Sequence, residues 1–341
     1  MKKLLFIFFG IIISCNSKSQ DKIDLSQKNI SISEKDVVTG WKRILLNKPN
    51  KWGFIDDNNS VKIPFIYDFV NPFDENKLAY AKDKGKELYI NSTGEIIIHA
   101  IYEKVGLFSE GLVEAKKDGK YGFLDIKGNV VIPFKYDSVD PFYQGLCIVS
   151  RNNKFGFIDK NGKEVIPLIY ESVQNSHADN IVIVSKGSKW AFIDNNGRLL
   201  SDFIYDKVFS GYNLNIKPPS NISEVTTFFK NGAVLVFKDR KYEFLNEQIE
   251  PAFPNNKFDS ASVFDTDNNA IVERNGKYGM IKPNGEANVP IEYDFVDYFD
   301  SNHNSSEYYN ARKGKIYSIF NRNLKKLGAV SYTHLTLPTK A

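Results

Sequence analysis

Cysteine is almost absent: Cys15 and Cys147 are the two in 341 residues. With Cys15 assigned to the leader described below, Cys147 has no partner for an intramolecular disulfide. It stands in the apolar run Leu146-Cys147-Ile148-Val149 and reads as a small buried hydrophobe, not a reactive thiol. Histidine is equally scarce. His99, His177, His303 and His334 lie far apart, and no Ser-His-acid or Cys-His arrangement follows from local spacing. A catalytic site and a cofactor are therefore not expected. An excess of one charge is missing too. Lys and Arg number 45 against 41 Asp and Glu, and the formal charge of +4 falls to +2 once Lys2 and Lys3 leave with the leader. That balance excludes the electrostatic footprint of a nucleic-acid binder. A helical apolar period is nowhere found. What the chain has is aromatics, 26 Phe and 18 Tyr, which suit a pleated, half-buried surface and point to β structure.

Long apolar runs are missing with one exception, ten residues from Leu4 to Ile13. Such a run is too short to span a bilayer as a helix. Behind the basic Met1-Lys2-Lys3 it has the length of a signal-peptide core. It ends in Ile12-Ile13-Ser14-Cys15, which resembles the bacterial lipobox. That resemblance implies cleavage after residue 14 and acylation of Cys15. Two or three acyl chains, at about 0.8 kcal/mol per buried methylene, make a stable anchor where one would not. Residues 15–36 then read as the acylated cysteine and a polar tether.

Self-comparison organises the rest. Lys51-Trp52-Gly53-Phe54-Ile55-Asp56 returns as Lys120-Tyr121-Gly122-Phe123-Leu124-Asp125, as Lys154-Phe155-Gly156-Phe157-Ile158-Asp159 and as Lys189-Trp190-Ala191-Phe192-Ile193-Asp194. Weaker copies end at Asn91, Asn246 and Lys282, and the faintest, Lys315 to Phe320, makes eight. The period is about 35 residues, with one step of 52 that places an insertion at about 213–223, near Pro218-Pro219. After each first strand comes a turn such as Asp125-Ile126-Lys127-Gly128, with Asp and Gly where a type I turn favours them. A second strand runs into Pro and Tyr-acid, and a third follows a Phe-x-x-Gly-Leu corner.

These residues closely resemble the WG-repeat family, named for the pair that stands here as Trp52-Gly53. The resemblance runs from Lys51 to about Phe320. It implies an exported bacterial protein without a defined biochemical activity. The expected fold is all-β: a tandem array of about eight three-stranded antiparallel WG-type repeats over 37–328, stacked as a curved open solenoid-like array. A closed propeller-like ring is the alternative. Trp41 to Leu46 would form a half-strand cap. The glycine slot holds Leu88, Ala191, Glu243 and Tyr317 in other copies, so it does not demand a positive φ; a neighbouring side chain packed over the glycine explains it better. The aromatic before each glycine, Tyr121 for instance, is expected to pack between units. Residues 329–341 fit no repeat, are similar to translated sequencing-adapter tails, and are set aside as an artefact.

No metal site is expected. At the twelfth loop position, counting Asp56, Asp125, Asp159 or Asp194 as the first, a calcium loop needs Glu, and here stand Tyr67, Tyr136, Tyr170 and Tyr205. The Asp265-Thr266-Asp267 start fails in the same way at Gly276. The functional candidate is a Tyr-acid ladder: Tyr67-Asp68, Tyr102-Glu103, Tyr136-Asp137, Tyr170-Glu171, Tyr205-Asp206 and Tyr293-Asp294. Stacking would align aromatic faces beside acceptors, as a glycan or peptide site requires. The plainer reading of the ladder is repeat architecture, with each Tyr half-buried. The functional expectation is an envelope lipoprotein, membrane-anchored at Cys15, that binds an unknown protein or glycan through its repeat surface. A structural spacer without a ligand is the alternative, and a hydrolase of unknown substrate the third.

Overall fold

The computed structural model describes residues 22–23, 30–175, 180–209, 229, 232–265, 267–298, 308–321, 323 and 325–331. The leader with Cys15, the insertion at 213–223, His177, His303 and residues 332–341 lie outside them. The described chain is all-β, without a helix. Its strands form eight antiparallel sheets, six of four strands and two of three. In each the strands are neighbours in chain order, so every sheet is a simple meander. The first consists of Ile30–Lys35, Lys42–Leu46, Lys51–Ile55 and Val61–Tyr67. The others occupy 69–98, 104–136, 138–170, 172–194, 207–245, 260–293 and 295–331.

The expected three strands per repeat are thus four in most sheets. A strand of two to four residues directly after the acid, such as Lys104–Val105, opens every sheet but the first, and it is too short to show a periodicity. The aromatic-Gly strand is the third. Two boundaries also move. Ile30–Lys35 pairs with Lys42–Leu46, Ile30 opposite Leu46, so part of the expected tether is an edge strand and the expected cap is an inner one. At the other end Lys326–Ser331 pairs along Ile316–Asn321 as far as Ile316 opposite Ser331, so the first residues of the tail set aside belong to the eighth sheet. The same sheet corrects the last copy of the motif. Ala311 faces Ser318 as Ala115 faces Gly122 and Val149 faces Gly156. Ser318, not Tyr317, therefore fills the glycine slot, and Tyr317 is the aromatic before it.

The slot itself has a steric cause. A Cβ on Gly122 would stand 2.5 Å from the Ile132 carbonyl oxygen and 2.9 Å from the Phe134 nitrogen. On Gly53, Gly156 and Gly279 it would meet the carbonyl oxygen of Ile63, Ile166 or Val289 at 2.5–2.6 Å. It is the backbone of the Ile-Pro or Val-Pro strand that closes over the glycine, not chiefly a side chain as expected. The pairing of the two strands shifts register at this point, a bulge that brings the backbones together. Where the slot holds Leu88, Ala191 or Glu243, the fourth strand recedes, whereas beside Ser318 it keeps six residues, Lys326–Ser331. Beside Leu88 it is three residues, Ile96–Ile98. Beside Ala191 and Glu243 it is reduced to isolated bridges, Trp190 with Tyr205 and Tyr242 with Phe258 among them. The four seven-residue fourth strands are sheet edges, and each carries an exposed proline at its centre, Pro64, Pro133, Pro167 or Pro290. Proline has no N–H to offer an incoming strand, which protects these edges from pairing with another chain.

The chain divides into two compact units, residues 1–136 and 137–341. Within each, cores lie between consecutive sheets. Phe54, Ile63 and Tyr67 of the first sheet meet Ala79, Ala81 and Leu88 of the second. In the second unit Phe157, Ile166 and Tyr170 meet Val182, Val184 and Ala191 of the following sheet. The aromatic after the glycine slot is the centre of these cores: Phe54, Phe123, Phe157, Phe192 and Phe244 are at most 1% exposed. The aromatic before it, Tyr121 included, is only half-buried.

Candidate functional site

The ladder tyrosines stand at the end of the fourth-strand segment and point into the cores. Tyr67, Tyr136, Tyr170, Tyr205 and Tyr293 are 0–9% exposed, deeper than the half-burial expected, and only Tyr102 is half-buried. Each rests on apolar neighbours. Tyr102 stacks on Phe134 and Tyr170 on Phe203, with ring centroids 5.6 and 6.3 Å apart. Tyr205 meets Phe192, and Tyr293 meets Phe320, edge to face. Burial pushes the hydroxyls of Tyr67, Tyr102, Tyr170 and Tyr293 above the usual tyrosine range, and that of Tyr205 up to about 12. These rings present edges and faces to the protein, not to solvent.

The carboxylates are engaged as well. Lys51 Nζ lies 2.6 Å from Asp68, Lys154 Nζ 3.5 Å from Glu171, and Lys189 and Lys277 2.5 Å from Asp206 and Asp294. Each lysine opens the third strand of the sheet that the acid closes. The other carboxylate oxygen accepts a backbone N–H from a hairpin turn of the next sheet: Gly85 N–H to Asp68, Gly119 to Glu103 at 2.8 Å, Asn152 to Asp137 at 2.7 Å, Ser188 to Glu171, and Gly314 to Asp294 at 2.6 Å. The acid's own N–H pairs with the next sheet too, Asp68 to Lys82 O and Asp294 to Arg312 O. Within each unit one residue therefore clasps two successive sheets. The ion pair with lysine holds the carboxyls of Asp68 and Asp294 below the usual range, and the Ser188 N–H does so first for Glu171. A carboxyl depressed by folding adds stability above its unfolded pKa, and this is lost as pH falls through the depressed value.

Sequence reasoning missed two parts of this clasp. One is the lysine, although its separation of 17 residues from the acid recurs in four of the pairs. The other is the sixth sheet's copy, Phe258-Asp259, hidden by Phe in the tyrosine position. Phe258 is 1% exposed. Asp259 pairs with Lys241 and accepts the Asn275 N–H at 2.7 Å.

The Asp-x-x-Gly turns are turns. One oxygen of Asp56, Asp125, Asp159 or Asp194 accepts the N–H groups two and four residues on at 2.8–2.9 Å. Asn91 and Asn246 do the same at 3.0 Å, so the position asks for an acceptor and not for a charge. Among the described residues no three His, Cys, Asp or Glu side chains are grouped to hold a metal ion.

A run of aromatics on the first two sheets lies nearer the surface. Phe69 is 37% exposed. Half-buried Trp52 and Tyr80 flank it edge to face, at 6.4 and 6.5 Å between centroids. The Arg43 guanidinium lies 4.8 Å from the Trp52 ring centre and Lys82 Nζ 5.9 Å from that of Tyr80. Flat apolar faces edged by cations are thus gathered along one stretch of the first unit.

Solved structures similar to the chain are distant. One is titled a crystal structure of the eukaryotic initiation factor, 15% identical over 82% of each chain, with a TM-score of 0.34. Hsv2p of Kluyveromyces lactis is 9% identical over 91% of this chain and 97% of its own, at 0.30. PorZ, a bacterial surface component of the type-IX secretion system of Porphyromonas gingivalis, is 10% identical over 69% of this chain and 33% of its own, at 0.27. Likeness at this level carries no argument about function. A search of curated proteins finds none that matches. The model of the WG containing repeat matches residues 52–86, 89–121, 121–155, 155–190, 190–212 and 278–315, more than half of the chain. Its motif is the aromatic-Gly strand whose glycine lies under the Ile-Pro backbone, and on that match the chain belongs to the WG containing repeat family.

Proposed function

We propose that the chain is an envelope-anchored interaction module, held to a membrane through acylated Cys15 and binding a protein or glycan partner without catalysis. The anchor rests on the basic, apolar and Ser14-Cys15 sequence of the leader. The observation that carries the binding half is the Trp52–Phe69–Tyr80 run with its cations. Aromatic faces of this kind stack on sugar rings and on peptide side chains, and they lie outside the clasps that hold the sheets together. The Tyr-acid residues serve the scaffold in this reading and are not the contact surface.

A single pull-down tests both halves. Chain expressed with a labelled fatty acid is expected to carry the label in the wild type and to lose it in Cys15→Ser. As bait in an envelope extract, wild type and Cys15→Ser are expected to retain the same partner, while Phe69→Ala loses it although it stays folded, its stability lowered by about 1–2 kcal/mol for the buried part of the ring. An unlabelled wild type would remove the anchor. A bait that retains nothing, or a Phe69→Ala chain that retains everything, would leave a structural spacer as the better reading.

A further inference from the structure

The repeat pattern lapses between residues 213 and 277, which the family model does not match. Within this stretch the glycine slot of the sixth sheet holds Glu243, and no regular fourth strand covers it. The chain from Pro251 to Lys257 touches the third strand only in places, by a bridge between Pro251 and Leu245 and by the Ala252 N–H donating to Phe244 O at 2.9 Å. Asn256, 5% exposed, takes over part of the lost ladder: its Oδ1 accepts the Phe244 N–H at 3.0 Å and its Nδ2 donates to the Phe244 carbonyl. A side-chain amide thus replaces one peptide group of the strand. The space left open is a cleft of about 530 Å³, within the range of small-ligand sites.

Its lining is mixed in a particular way. Pro251, Phe253 and Pro254 give apolar walls, and Glu243, Lys257 and Arg274 bring charge of both signs. The Glu243 side chain is 15% exposed and pairs with Lys257 at 3.4 Å, whose own side chain is 72% exposed. An ion pair with so exposed a partner is weak and easily exchanged. Arg274 is held in place. It donates from Nη2 to Asn255 O at 2.5 Å and from Nε to Lys257 O at 3.3 Å, and its guanidinium lies 4.7 Å from the centre of the Phe258 ring. A carboxylate and two cations therefore border one apolar cleft.

We infer that this cleft binds a small zwitterion with an apolar side chain, the chemistry of a free amino acid or a short peptide. The ligand's ammonium replaces Lys257 on Glu243. Its carboxylate takes the released Lys257 and Arg274, and its side chain packs on Phe253 and the prolines. The inference goes beyond the surface-binding proposal and does not depend on it.

Calorimetric titration of the full chain with L-leucine, L-leucyl-L-leucine, N-acetyl-L-leucine and L-leucinamide tests it. Leucine or the dipeptide is expected to bind saturably, and the two blocked compounds at least tenfold more weakly. The tighter of the first two identifies a free amino acid or a peptide as the source. Glu243→Gln is expected to weaken binding at least tenfold with an unchanged melting temperature. The exposed Lys257→Met should do likewise, which guards against a folding defect in the first variant. No saturable binding of leucine or the dipeptide at millimolar concentration, equal binding of the blocked compounds, or wild-type affinity in both variants would overturn the assignment.

Discussion

Phe157→Ala is expected to lower the stability of the second unit by about 3–5 kcal/mol, the cost of truncating a buried phenylalanine. Phe157 is 1% exposed and lies where the fourth sheet meets the fifth, among Ile166, Tyr170, Val182, Val184 and Ala191. The void cannot close by a shift of one side chain, since both of its walls are sheets. In an array whose repeats contact mainly their neighbours, the loss is expected to fall on those two sheets and to leave distant ones folded. Phe155, two residues earlier and half-buried, is the control. Phe155→Ala should cost about 1–2 kcal/mol for its smaller buried area. Chemical denaturation of the three proteins gives the comparison, and a larger loss at Phe155 would place the joint on the wrong aromatic.

Gly156→Ala is expected to destabilise by about 1–3 kcal/mol, the usual cost of overfilling a packed site. Its methyl would lie 2.5 Å from Ile166 O and 2.8 Å from the carbonyl of Pro167, backbone atoms that cannot swing away. Ala191 occupies the same register in the next sheet, facing Val184 as Gly156 faces Val149. There the fourth strand is reduced to bridges, and the methyl is fully buried in the core. Ala191→Gly should therefore destabilise as well, by about 1–2 kcal/mol from lost burial and added backbone freedom. Opposite signs for the same methyl at two equivalent positions follow from the bulge alone. Melting curves showing Gly156→Ala neutral would mean the fourth strand does not close over the slot.

Much of this architecture was legible in the residues. The period, the Asp or Asn turns and the alternating strands are local features, and each keeps its meaning wherever a repeat is taken to begin. What was hidden depends on pairing. A tandem motif has no natural first residue, so the sequence does not say that a sheet opens after the acid, with strands as short as Phe69–Val70. The last copy slipped by one because Ile316 stands where lysine opens the other strands, and only the facing pair Ala311 and Ser318 sets its register. The ladder was ambiguous for a chemical reason: tyrosine beside a carboxylate serves a ligand or a joint equally well. The lysine 17 residues before each acid separates the two uses, since a carboxylate already paired and capped by a turn has little left to offer a ligand.

Amide hydrogen exchange in the wild type and in Asp259→Ala and Asp294→Ala tests most directly whether the acids are joints. Asn275 and Gly314 lie in exposed hairpin turns, and their N–H groups are satisfied by Asp259 and Asp294 at 2.7 and 2.6 Å. Both amides are expected to be protected in the wild type, and each to exchange faster when its own acid is removed, with the other unaffected. Unchanged exchange at both amides, together with loss of the captured partner, would contradict the account and make the Tyr-acid ladder a binding surface.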